Sequence, residues 1–180
     1  MNVLGISGSL RRGSYNTALL EAAGAVYPAT IELVVWRGLA DIPAFDEDLA
    51  VVPASVTALR AEIARANAIL LATPEYNASV PGALKNALDW VSRPFATNPF
   101  RNKPVAVVGA SQGAFGAVWA QADLRRVLTA MGARVDSREL PVARAHQAFN
   151  IEGRLRDPRL EQRLRAIVDG LASSSSRRAA

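Results

Sequence analysis

Residues 105–116 read VAVVGASQGAFG, and two folds compete for them. Four apolar residues run into Gly109-Ala110-Ser111-Gln112-Gly113, and a helical pattern follows. Strand, G-x-S-x-G, helix is the arrangement of a nucleophile elbow, in which a sharp turn exposes a serine for acyl transfer. The chain even continues with Ser111, Asp136 and His146 in the order of nucleophile, acid and base that an α/β-hydrolase uses. The same stretch equally suits a strand of an open parallel sheet whose following loop holds a ligand. The flanking sequence has to separate the two.

Outward from this stretch, short apolar runs alternate with amphipathic ones, and no repeat of 20–50 residues is evident. Strands are expected at 2–7, 31–36, 68–73 and 104–109, with a weaker one at 134–138. Helices are expected at 15–27, 54–66, 82–92, 115–131 and 157–171. The strand runs are continuous apolar stretches rather than alternating ones, the pattern of strands covered on both faces. Strands alternating with helices then predict one α/β domain over residues 1–172, a doubly wound parallel sheet of five strands. Right-handed crossovers permit the flavodoxin-like order 2-1-3-4-5. The remainder, 173–180, lies in ASSSSRRAA, lacks apolar periodicity and is expected to be a disordered tail.

Composition removes whole classes of chemistry. The chain has 180 residues, no cysteine and one histidine. Disulfides, thiolate catalysis and iron–sulfur clusters are excluded, and a zinc site of the usual His/Cys kind is not expected. Redox chemistry would need an organic cofactor. The absence of a long apolar run predicts no membrane partner, and the start, MNVLGISGSL, has no signal-peptide pattern, so a cytoplasmic protein is expected. The net charge of +5 and an isoelectric point near 10.4 invite a nucleic-acid reading. Two of those charges, Arg177 and Arg178, lie in the tail, and the rest alternate with acids, as in RLRDPRLEQRLR (154–165), so no nucleic-acid stripe is expected.

In an open α/β sheet, ligands sit beyond the carboxyl ends of the strands where the strand order reverses. Three loops meet there. After the first strand, SGSLRRGSYNT (7–17) offers Ser9, Ser14, Asn16, two arginines and a helix N-terminus, all suited to an anion. Gly8 and Gly13 have Walker-A spacing, but Ser14-Tyr15 follow instead of Lys-Ser/Thr, so a terminal phosphate monoester fits better than a nucleoside triphosphate. The plainer alternative is a βα turn capped by Ser14. After the third strand, TPEYNASVPGALKNALDW (73–90) brackets a short loop with Pro74 and Pro81; Tyr76 offers a flat face and Asn77 polar edges for a planar heteroaromatic ring. After the fourth, Gly109, Gly113 and Gly116 permit close backbone approach, while Ser111 and Gln112 can bond a ring edge. Phosphate, ring and edge together describe flavin mononucleotide, FMN.

These segments, with ADIPAFDEDL (40–49), resemble the NADPH-dependent FMN reductase family, nearest to the bacterial quinone and chromate reductases, over nearly the whole chain to about Leu171. The resemblance implies that Ser9, Arg11, Ser14, Tyr15 and Asn16 hold the FMN phosphate. It places Pro74, Glu75, Tyr76 and Asn77 against the isoalloxazine ring, and Ser111 and Gly113 at its pyrimidine edge. It also implies an oxidoreductase that takes electrons from NADPH or NADH and passes them to a small acceptor: a quinone, an azo or nitro compound, chromate or free flavin. Homodimers or homotetramers are the family's usual state. One departure stands out, for Gly116-Ala117-Val118-Trp119 replaces the family's usual G-G-x-R.

Two rival functions remain. A hydrolase-like esterase using Ser111 leaves the anion loop and PEYN without a purpose. A flavodoxin-type electron carrier relies on charge-steered docking and tends to be acidic, whereas this chain is basic. The loops 37–53 and 94–104, with aromatic tips at Phe45, Phe95 and Phe100, are expected to form a substrate wall or a subunit contact.

Overall fold

A computed structural model describes residues 1–26 and 30–176. Strand β1 (Asn2–Ser7) leads through helix α1 (Tyr15–Val26) to β2 (Glu32–Trp36), then α2 (Ala54–Arg65), β3 (Ala68–Thr73), α3 (Gly82–Val91) and β4 (Pro104–Ala110). Helix α4 (Val118–Ala130), short strands β5 (Arg134–Val135) and β6 (Pro141–Val142), a turn of helix α5 (Ala145–Ala148) and α6 (Pro158–Ser176) complete it. All strand pairs are parallel, and the order is β2-β1-β3-β4-β5 with β6 also on β4.

The continuous apolar strands work because alternate residues enter different cores. Leu4, Ile6, Ile69, Leu71, Val105 and Val107 pack with α2, α3 and α4 on one face. Val3, Ala68, Leu70, Ala72, Ala106 and Val108 pack with α1 and α6 on the other. Half of the second set is alanine.

The structure departs from the sequence reading in four places. Of the weak strand expected at 134–138 only Arg134–Val135 forms, and a second short strand lies beyond that range at Pro141–Val142. β5 pairs with the start of β4 (Pro104↔Arg134) and β6 with its end (Gly109↔Pro141), so two extra residues lie between them. Helix α4 begins at Val118 rather than 115, because Gly116 (φ 59°) and Ala117 (φ 62°) are left-handed. Helix α6 runs through Ser176, where a tail was expected from 173; the Ser173, Ser175 and Ser176 hydroxyls donate back to carbonyls one turn earlier. The rest of that tail, 177–180, and the end of the first expected helix at 27 lie outside the described residues. Finally, Phe100 is no aromatic tip: it is fully buried in the core. Phe45 stands edge-on against Trp90 at 5.0 Å, and only Phe95 remains exposed.

No helix among the described residues is long and apolar enough to cross a membrane. Nor do those residues contain a group of His, Asp or Glu that could hold a metal ion.

Candidate functional site

The loops after β1, β3 and β4 meet in one hollow at the carboxyl end of the sheet. Ser9, Arg11, Ser14, Tyr15 and Asn16 line it from the first loop, Pro74, Glu75 and Tyr76 from the second, and Ser111 from the third. Of the residues expected there, only Asn77 and Gly113 stand outside the lining; Gln112, expected at the ring edge, belongs to it, as does Ala110, which was not expected. A further hollow, between α1 and α6, is lined by Ala22, Val26, Arg154, Leu155, Leu164 and the Glu161–Arg165 pair, with no aromatic side chain in its lining.

The first loop is folded by its own hydroxyls. Ser7 Oγ accepts from Ser9 N–H and from the Thr17 hydroxyl, and Ser9 Oγ accepts from Arg11 N–H. Ser14 is the N-cap of α1, its Oγ accepting from Thr17 N–H at 3.2 Å. The capping role and a ligand role are compatible, because a hydroxyl that accepts one bond still has a proton to donate. The amides of Tyr15 and Asn16 have no acceptor among the described residues, and the exposed Arg11 side chain has no partner there. Two free amides at a helix N-terminus beside a guanidinium make an anion cradle.

The second loop is a two-residue hairpin turn. Tyr76 and Ser79 exchange backbone hydrogen bonds of 3.1 Å, and Asn77 (φ 51°) and Ala78 (φ 60°) are both left-handed, as a type I′ turn requires. Asn77 is thereby a turn residue at an exposed tip, which explains its absence from the lining. Tyr76 remains 49 % exposed and offers its ring to the hollow.

Glu75 has a task no local pattern announces. Its Oε2 accepts from the Trp119 and Ala120 amides at 3.0 and 3.1 Å. These are the first-turn donors of α4, whose N-cap, Ala117, has no side-chain oxygen. The carboxylate also meets the positive end of the helix dipole. Glu75→Ala is expected to lower the stability of the flavin-free protein by about 1–2 kcal/mol, with Glu75→Gln recovering part of it. Urea denaturation checks this; unchanged midpoints for both variants would assign Glu75 to ligand binding alone.

The glycines of the third loop separate by task. A Cβ on Gly109 would lie 2.9 Å from Thr73 O and 2.8 Å from Gln121 Nε2, and one on Gly116 would strike the backbone of residues 141–143. Both serve internal packing rather than the close ligand approach expected of them. Only Gly113 faces open space beyond the Ser111 hydroxyl.

The hydrolase constellation is not assembled. Ser111 Oγ accepts from Gly113 N–H, Asp136 grips the Arg138 guanidinium, and exposed His146 bonds neither of them. Arg138 holds the Asp136 carboxyl below its ordinary range, outweighing the upward push of burial.

The family model for NADPH-dependent FMN reductases matches residues 1–147. The chain is 45% identical to an NAD(P)H-dependent FMN reductase of Pseudomonas aeruginosa, covering 93% of each. It is 39% identical to a quinone reductase of Escherichia coli, over 75% of this chain and 73% of that one. Among solved structures, the flavoenzyme NAD(P)H:(acceptor) oxidoreductase FerB of Paracoccus denitrificans superposes with a TM-score of 0.87 at 34% identity, covering 98% and 97% of the two chains. An archaeal flavodoxin, 14% identical with a TM-score of 0.63, shares the fold.

Proposed function

The chain belongs to the NADPH-dependent FMN reductase family, and from that premise we propose that the hollow binds one FMN and serves electron transfer from NAD(P)H to a quinone-class acceptor. The observation that carries this is the convergence of an anion cradle, an exposed tyrosine ring and a Ser111–Gln112 edge in one hollow. Arg11, Ser9, Ser14 and the Tyr15 and Asn16 amides hold the phosphate, Pro74 and Tyr76 flank the ring, and Ser111 and Gln112 face its polar edge.

When bound, FMN supplies the two-electron chemistry that the side chains lack. The chain's own contribution is placement and electrostatics. The one carboxylate lining the hollow, Glu75, is engaged by the α4 amides rather than held free as an acid or base. Exposed Gln112 lines the hollow and would offer its amide to the polar edge of the ring, where negative charge gathers on reduction.

Azo and nitro compounds, chromate and free flavin are further acceptors in the scope of this proposal, as are a cytoplasmic location and assembly into a homodimer or homotetramer. Exposed Phe115 and Trp119, in edge contact at 4.9 Å beside the hollow, support such a contact surface.

Titration with FMN, FAD and riboflavin, followed by NAD(P)H oxidation with benzoquinone as acceptor, tests the reading. One FMN per chain, held more tightly than riboflavin, and quinone-dependent turnover are expected. Equal affinity for FMN and riboflavin would overturn the phosphate cradle, and loss of an esterase activity in Ser111→Ala would restore the hydrolase.

A further inference from the structure

Arg11 divides the candidate flavin hollow from a second one, on the β2 side of the same loop. The two share only Ser9 and Arg11. The second gathers three guanidinium groups, Arg11, Arg12 and Arg37, with the Thr17 side chain and the indole of Trp36. Arg12 has no side-chain partner among the described residues, and Arg37 has one exposed ion pair, to Glu21 at 2.9 Å. Such a pair in water holds its arginine weakly. The indole rests on Gly38, where an added Cβ would lie 2.7 Å from the ring, so its orientation is fixed from below.

Unneutralised arginines in a concave site match a phosphate, because the guanidinium fork meets phosphate oxygens in pairs. A flat aromatic wall beside them suits a heterocyclic base. With Arg11 and the α1 N-terminus engaged by one phosphate, Arg12 and Arg37 remain for another. Taking the flavin assignment above as its basis, we propose that this hollow receives the adenosine 2′-phosphate end of NADPH. Arg12 and Arg37 bind the phosphate, and Trp36 walls the purine. These residues then set a preference for NADPH over NADH, which lacks that phosphate.

The probes are adenosine 2′,5′-bisphosphate and adenosine 5′-monophosphate, which differ only in the 2′-phosphate, titrated calorimetrically into the FMN-loaded chain. The bisphosphate is expected to bind roughly ten- to a hundredfold more tightly. The Arg12→Ala/Arg37→Ala double variant is expected to lose that preference while its FMN affinity stays within about fivefold of the unaltered chain's. Both substitutions are on exposed side chains, so folding is retained. Equal binding of the two probes by the unaltered chain would overturn the proposal. So would a parallel loss of FMN and bisphosphate affinity in the double variant, which would make the hollow part of the flavin phosphate site. Titrating the unaltered chain with FMN tests the earlier assignment separately, and the probe preference is then also read on the flavin-free chain.

Discussion

Replacing Arg11 with alanine weakens FMN binding by about 1.5–3 kcal/mol, roughly ten- to a hundredfold, and leaves riboflavin affinity unchanged. Arg11 lines the hollow that also contains Ser14 and the free α1 amides, whereas its neighbour Arg12 does not. Both side chains are exposed in the flavin-free chain, so general attraction of an anion to positive charge is the competing explanation. The two effects differ in range and in salt dependence. A direct charge-assisted bond to phosphate is short-ranged and directional. A surface charge several ångströms away acts through water and is screened within about 8 Å at physiological ionic strength. Arg12→Ala should therefore cost FMN under about 1 kcal/mol, and that loss should shrink as salt is added. Titrating both variants with both flavins decides the matter. Equal, salt-sensitive losses in the two would leave the loop an anion attractor without a specific contact.

Sequence patterns reach as far as short-range physics does. β1, β3 and β4 are legible because burial on both faces leaves an unbroken apolar run, and the three site loops follow from where those strands end. The edge position is less legible: β5 and β6 are two residues each and offset by two, too short for any periodicity. Phe100 looked like a loop tip because prolines and polar residues surround it, yet the loop folds inward and buries it. The site's membership was readable from its motifs, but the division of labour was not. Glu75 and Asn16 owe their roles to partners 44 and 94 positions away along the chain. Family motifs place such residues in a site without saying whether they touch the ligand or hold the loops that do.

Asn16 is where that distinction has its largest expected effect. Its Nδ2 donates to Ala110 O at 3.0 Å and its Oδ1 accepts from Ala110 N–H at 2.9 Å, and the residue is 3% exposed. The Gly109 and Ser111 amides are bonded to Leu140 and Val142, so the polar groups of Ala110 face the other side of β4. There β3 has already ended, its last pair with β4 being Thr73↔Gly109. The Asn16 amide thus takes the place of the next residue of a missing strand, and ties the anion loop to the loop bearing Ser111. Asn16→Ala leaves a donor and an acceptor of β4 without partners at about 1–3 kcal/mol each, so a loss of roughly 2–6 kcal/mol is expected in the flavin-free protein. Water entering from the adjoining hollow favours the lower end of that range. Asn16→Asp keeps the shape, but at neutral pH sets a carboxylate against the Ala110 carbonyl, so it should destabilise at least as much. Urea denaturation without flavin isolates this effect, because bound FMN would add its own stabilisation by mass action. If both variants instead unfold at the unaltered midpoint and differ only in FMN affinity, Asn16 is a ligand contact and the strut between the two loops is refuted.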